Sequence, residues 1–349
     1  MEYIFIFPLL LGAIHIAYIV VCLIFPGRNI KPQSLDEPLY SIEHIVCLKN
    51  ESKFVQRKIE NCYGIDHPNI HHIFINDNST DDTSELIARF AGNDSRVINN
   101  ERSKGKNQSQ IMAAKTSQSD LLLFTDANVF LDSDAVKKVI EAFDDSVGGV
   151  CGNVTIKTEK MNQEFSGQYW QLEKRIKKFQ SRFGSVIGFD GGFYCVKREC
   201  YNLKRENELS DFETAFLIFE QGKKTKYVDD ARATEIEKRT LQSSFKARVR
   251  ASNRVFWSYR RIYQYAGKLN RAVITHFFFH KLLRYGSIIS FVICLPMIVY
   301  TLYRVMPLVL LVFVIPFVYR LTLESIALFL GGVIAATGKE YTTWSDKKI

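Results

Sequence analysis

Apolar residues crowd the two ends of the chain and recur as short runs between them. Residues 3–25 are interrupted only by Pro8, Gly12 and His15. At ~1.5 Å of rise per residue such a helix can cross a hydrocarbon core of ~30 Å. At the far end, residues 287–303 and 307–319 form two apolar blocks parted by Arg304 and predict a tight helical pair. A third block, 321–336, holds Glu324 and is closed by glycines, so it can span, re-enter or lie along the interface. Residues 273–285 mix four aromatics with His276, His280, Lys281 and Arg284, the composition of an amphipathic helix at headgroup level.

Between the ends, residues 40–272 alternate β-like runs with amphipathic helical stretches, which predicts a Rossmann-like α/β domain with a mostly parallel sheet. The clearest strands are 42–48, 72–75 and 121–124. The expected organisation is therefore an N-terminal transmembrane helix at 1–27 and an α/β domain at 40–272. An interfacial helix at 273–286, a transmembrane region at 287–338 and a tail at 339–349 follow. Arg28 and Lys31 follow the first span while only Glu2 precedes it, which places the chain's start outside and the α/β domain and tail in the cytoplasm. A cleaved signal peptide fits less well, because no basic stretch precedes the apolar run and no small-residue cleavage site follows.

Composition narrows this picture at two points. The 349 residues carry 46 Lys and Arg against 37 Asp and Glu, but 238–284 alone holds 12 basic residues and no acidic one. The remainder is slightly acidic, so the basicity is a local stripe. Beside an apolar tail it suggests membrane lipids or a phosphate-rich ligand, not nucleic acid. The seven cysteines lack paired metal-site spacing and read as reduced thiols.

The chemistry gathers where strands end. Each of the three clear strands is followed at once by polar turn residues: Lys49, Asn50 and Glu51, then 76–82, then Thr125 to Asn128. The carboxyl ends of strands are where open α/β sheets bind ligands, so three such clusters predict one site. Asp77 directly follows its strand, where a carboxylate can accept a hydrogen bond from a base N–H, whereas Asp81 or Asp82 fits a helix cap. Lys104 and Lys106 flank Gly105 before a helix expected near Gln108, a placement suited to phosphates. Asp126 and Asn128 can present two oxygens to one hard cation, Mg²⁺ or Mn²⁺, with a diphosphate completing its shell. Asp132 and Asp134 read as turn and cap residues. Trp170 can stack on a sugar ring, although an aromatic on an amphipathic helix is more often core. Two histidines four apart, His276 and His280, lack a nearby third metal ligand.

In order and spacing these residues resemble family 2 glycosyltransferases of the GT-A fold. Asn50 and Glu51 resemble the family's early Asn-Glu, residues 77–83 its aspartate-rich nucleotide loop, and residues 125–128 its DxD segment. Residues 188–198, with Asp190 and Gly191, are similar to its glycine-rich segment, and Ser210 to Glu213 to the acidic motif that carries the catalytic base. Gln221, Gly222, Tyr227 and Val228 resemble the usual continuation. The resemblance implies inverting transfer from a nucleotide-activated sugar, usually a UDP-sugar, to a hydroxyl of a lipid-linked or growing glycan acceptor. Asp211 would be the base; Asn50, Glu51, Asp77, Lys104, Lys106 and Asp126 would bind the donor. Arg248, Arg250 and Arg254 would face the diphosphate or acceptor, together with Asp190, Gly191 and Trp170. Two departures stand out. The QxxRW sequence of processive synthases is absent from 245–250, where Trp257 follows Arg250 by seven residues, and Asn128 replaces the second Asp of DxD. Transfer to polyprenyl phosphate, and an inactive scaffold within a glycan assembly complex, are the alternatives.

Overall fold

The computed structural model describes residues 6–25, 40–158, 163–203, 209–237, 241–305 and 316–341. Arg28, Lys31, most of the 307–319 block and the tail beyond 341 lie outside these residues.

Eight strands make one sheet: β1 (Ile42–Leu48), β2 (Ile70–Asn76), β3 (Ser95–Asn99), β4 (Leu121–Asp126), β5 (Val129–Leu131), β6 (Val147–Thr158), β7 (Phe193–Lys197) and β8 (Lys224–Glu237). Their order is β3-β2-β1-β4-β7-β6-β8-β5. The half from β3 to β4 is parallel, as expected from its β-like runs joined by helices. β7 breaks the pattern by running antiparallel to both β4 and β6.

Alternation along the strands sorts their side chains onto two faces. Ile45, Cys47, Ile73, Ile75, Leu122 and Phe124 pack in one core with Phe212, Ala215 and Phe216 of helix α7 (Ser210–Glu220). On the other face Leu121, Leu123, Phe193 and Cys195 pack with Val136 and Val139 of α5 (Ala135–Ile140). There Val46, Leu48 and Phe74 pack with Val55 and Ile59 of α2 (Val55–Tyr63) and Ile87 of α3 (Thr83–Phe90). Asp77 lies two residues beyond Ile75, and Asp126 two beyond Phe124. Strand parity thus aims both carboxylates at the face where α7 lies.

The terminal apolar helices pack against the rest of the fold. α1 (Ile6–Ile24) packs on α6 (Gln163–Ser181) through Tyr18, Cys22, Ile176 and Phe179. The expected interfacial helix at 273–286 is not separate. α9 (Arg271–His276), a π-helical turn Phe277–Leu282 and α10 (Leu283–Val305) run on without a break. Residues Arg271–Thr301 of this rod are long and apolar enough to cross a membrane by length and composition, the one such helix among the described residues. Nothing at the 286/287 boundary stops it, since Gly286 stays helical and rests near Leu11 of α1. The third apolar block belongs to α11 (Pro316–Ala336), which docks along α8 (Leu241–Ile262): a Cβ on Gly331 would lie 2.4 Å from the Val249 carbonyl oxygen.

Candidate active site

Three strand ends build the site. After β2 the Asp77 carboxylate is buried and accepts from Lys104 N–H (2.8 Å), Gly105 N–H (2.9 Å), Asn100 Nδ2 (2.9 Å) and Ser103 Oγ (2.8 Å). Burial would raise this carboxyl, but those four donors outweigh it and hold it below the usual carboxylate range. Here Asp77 shapes the 103–105 loop and its acceptor positions are taken by the chain itself. Lys104 contributes its backbone N–H, while its ammonium rests against Met112 Sδ.

Asn50 and Asn78, both with positive φ, turn the chain sharply after β1 and β2. The Asn50 side chain accepts from Thr80 N–H (2.8 Å), and Glu51 N–H donates to Thr83 Oγ1 (2.9 Å), so the first two clusters are stitched together. Asp81, not Asp82, bonds the start of α3, through Thr83 N–H at 3.1 Å; Asp82 makes no side-chain cap bond.

Helix α4 (Lys106–Thr116) starts two residues earlier than expected, because Gly105 takes the positive φ of its cap. This puts Lys106 against the third cluster. Its ammonium pairs with Asp126 and donates to the Gly191 carbonyl at 3.0 Å. Burial would lower the Lys106 pKa, but the Asp126 and Asp211 carboxylates reverse that and raise it. The half-exposed Asp126 carboxylate and the Asn128 amide flank the turn between β4 and β5. Asn128 Nδ2 donates to the Ile236 carbonyl at 3.1 Å, which leaves its oxygen as the atom able to ligate a cation. One carboxylate and one amide oxygen offer a cation less charge than two carboxylates would, and here the carboxylate already pairs with Lys106.

Asp211 comes in from α7. Its backbone carbonyl accepts from Phe189 N–H at 2.9 Å, and a Cβ on Gly191 would lie 2.8 Å from its Oδ2. The glycine-rich segment is therefore glycine where the carboxylate needs room. The N-cap position of α7 is Leu209, which has no capping side chain; Glu213 accepts from Leu209 N–H at 3.1 Å, and from Ser258 and Arg261 of α8. Burial, with Asp190 and Asp126 nearby and only partly offset by Lys106, raises the Asp211 carboxyl above its ordinary value. Asp190 lies 3.7 Å from Lys177.

Next to Asp211 opens a cavity of about 270 Å³ walled by Trp170, Phe212, Val255, Tyr259 and Tyr285 and also lined by Lys281. Trp170 is thus at a cavity wall and not in the core. Two of the three expected arginines are elsewhere: Arg248 lies 3.7 Å from Glu324 of α11, and Arg254 Nε donates to the Tyr341 carbonyl at 2.8 Å. The first is held by α11 and the second by the segment that follows it. Arg250 sits between them on α8, and Trp257 Nε1 donates to the Lys339 carbonyl at 3.3 Å. Sequence reasoning missed Glu173, Lys177 and Gln180 of α6, all buried. The available signal was polar residues recurring at helical spacing beside Leu172, Ile176 and Phe179. It also missed a buried trio, His44, Cys62 and His72, whose possible ligating atoms lie within 4.8 Å of one another. His44 Nε2 bonds Thr125 Oγ1 (2.7 Å) and Nδ1 faces His72 Nδ1 (3.1 Å), on the sheet face away from Asp126.

A mixed sheet with acidic residues at its strand ends is an arrangement found in the GT-A fold. The family model described as "Glycosyl transferase family 2" matches residues 44–202. It is similar to poly-beta-1,6-N-acetyl-D-glucosamine synthase of Staphylococcus aureus strain COL, 26% identical over 231 residues, covering 64% of this chain and 56% of that protein. The Staphylococcus epidermidis synthase is 27% identical over 177 residues, covering 49% and 43%. The matches thus span about half the length of those relatives. Among solved structures, the mannosyltransferase PcManGT from Pyrobaculum calidifontis with GDP-Man and Mn²⁺ superposes with a TM-score of 0.73 and 16% identity, covering 95% of this chain and 99% of that one. Staphylococcus aureus TarS 1–349 with UDP-GlcNAc gives 0.50 and 12%, covering 86% and 93%. At such identities the structures speak for the fold.

Proposed function

We propose that the chain transfers a sugar, with inversion, from a UDP-sugar to a hydroxyl of a lipid-linked or growing glycan acceptor at the cytoplasmic face of a membrane. The observation that carries this is the placement of Asp211 between the Lys106–Asp126 pair and the cavity. A donor diphosphate at Lys106 and an acceptor hydroxyl in the cavity would meet at that carboxylate. Asp211 takes the hydroxyl proton as the new glycosidic bond forms at the anomeric carbon and the bond to the departing diphosphate breaks. Its raised pKa makes it a stronger base than an ordinary carboxylate. Lys106 faces the negative charge of the leaving group. Asp126 and Asn128 would hold a Mg²⁺ or Mn²⁺ ion, which when bound supplies further charge for the diphosphate. Asp77, Lys104, Asn50 and Glu51 build the donor side, and Asp77 acts by ordering the 103–105 loop. Arg250, Trp170, Asp190 and Gly191 belong to the acceptor or diphosphate side.

The named activity of the staphylococcal synthases and the UDP-GlcNAc bound to TarS make UDP-GlcNAc the first donor to test. The apolar rod Arg271–Thr301 supports a membrane anchor, with α1 and α11 as further apolar helices. Purified protein in Mn²⁺ is incubated with a panel of nucleotide sugars and a lipid-linked acceptor, and nucleotide release is scored. Acceptor-dependent release with one donor, abolished by chelator, is expected. Absence of release from every donor would remove the reading.

A further inference from the structure

Six charged residues line the cavity beside Asp211 and balance in sum, Glu173, Asp190 and Asp211 against Lys177, Lys281 and Arg284. Arg284 pairs with Glu173, and Lys177 lies 3.7 Å from Asp190. Lys281 makes no hydrogen bond or ion pair among the described residues, although it lines a cavity whose walls are largely apolar and aromatic. The Glu173 and Asp211 carboxylates act on it without direct contact, so the hydrogen bonds its ammonium gave up on leaving bulk water are left to a ligand or to water.

The backbone is built to hold it there. Lys281 sits in the π-helical turn Phe277–Leu282, and such turns are frequent at functional sites. Its neighbour His280 is buried and gripped from both sides, with Nδ1 3.1 Å from Gln180 Nε2 and Nε2 3.1 Å from Glu173 Oε2. Gln180 in turn accepts from Ile187 N–H at 3.1 Å, at the start of the segment that packs on Asp211. The rotation of the turn, and so the place of Lys281, is fixed relative to the reacting carboxylate.

Resting on the transferase reading above, we propose that this cavity is an acceptor subsite in which Lys281 binds the phosphate or diphosphate that joins the acceptor to an apolar chain. Phosphate is the anion that lies where a lipid chain begins. The same helix that presents Lys281 continues as the apolar rod to Thr301, so the cation stands where the aromatic cavity meets the rod. Glu173 and His280 are positioning residues that keep Arg284 and Lys281 in place.

The test compares two acceptors carrying the same sugar and alkyl chain, one joined through a diphosphate and one through a neutral ether. A charge-assisted contact contributes roughly 10-fold or more to affinity. Lys281→Ala should raise KM for the charged acceptor by about that factor, leave the neutral one unchanged and leave donor binding by calorimetry intact. Lys281→Arg should restore the preference. An equal effect of Lys281→Ala on both acceptors, or on neither, overturns the subsite. If the preference in wild type is lost on adding anionic phospholipid to the micelles, Lys281 reads bulk headgroups and the acceptor assignment falls. Donor binding with no transfer to either acceptor by wild type overturns the transferase reading itself, and the subsite with it.

Discussion

At the level of single residues, Asp211 separates chemistry from stability. As the proposed base it must be ionised, and its raised pKa means that turnover should fall on acidification from a pH above that of an ordinary carboxylate. Stability runs the other way. The folded chain holds this proton more tightly than the unfolded chain, so the contribution is fully present below the unfolded pKa and is lost as pH rises through the folded one. At neutral pH the ionised carboxylate therefore weighs against folding. Asp211→Asn should lower turnover by ~10²–10⁴-fold while melting no lower than wild type, measured by initial rates and thermal unfolding at pH 7. A variant that transfers sugar at the normal rate would remove Asp211 from the mechanism. Asp77 shows the limit of reading residues singly. Its place after β2 was legible, but its saturation by four donors was not, because Asn100 and Ser103 lie 23 and 26 residues away.

Elements position these groups, and strand parity was the most legible part. From the positions of β2 and β4 alone, Asp77 and Asp126 fall on one face. The antiparallel β7 was not legible, since nothing in a five-residue apolar run states its direction. Nor was the closeness of the glycine segment to α7, which is a contact across about twenty residues of sequence. That contact predicts a specific defect. Gly191→Ala would bring a methyl to 2.8 Å of Asp211 Oδ2, and the carboxylate is the partner free to move. A displacement of about 1 Å at a reacting group costs about 10²-fold in rate. Turnover should drop by about that much, with donor affinity by calorimetry and melting temperature near wild type. A normal rate would show that Gly191 does not set the Asp211 orientation.

Across the whole molecule, α8 joins two regions that the sequence treats as separate. One side carries Ala251, Val255 and Tyr259 into the cavity; another meets α11 at Gly331 and at Ser252, whose Oγ donates to the Leu328 carbonyl at 2.6 Å. The basic stripe is accordingly not one surface: Arg248, Arg254 and Arg261 are used internally, which a charge count cannot reveal. Gly331→Leu should force α11 off α8 and cost about 1–3 kcal/mol. It should appear as a lowered melting temperature and a raised acceptor KM, with unchanged donor binding. An unshifted melt would mean that α11 contributes nothing to the fold of α8. For the proposed orientation, an engineered cysteine at Asn93, in the exposed turn before β3, should resist an impermeant reagent in intact cells and react after lysis. Labelling without lysis would reverse it.

The unbroken helix from Arg271 to Thr301 changes what acceptor concentration means. Under the proposed membrane reading, a rod that is both cavity wall and apolar anchor fixes the height of the mouth relative to the lipid layer, so enzyme and lipid-linked substrate would search for each other in two dimensions. The rate then follows mole fraction in the surface and not molarity in the tube. Diluting the acceptor with inert lipid at constant bulk amount should slow transfer, while adding buffer at constant surface composition should leave the turnover per enzyme unchanged.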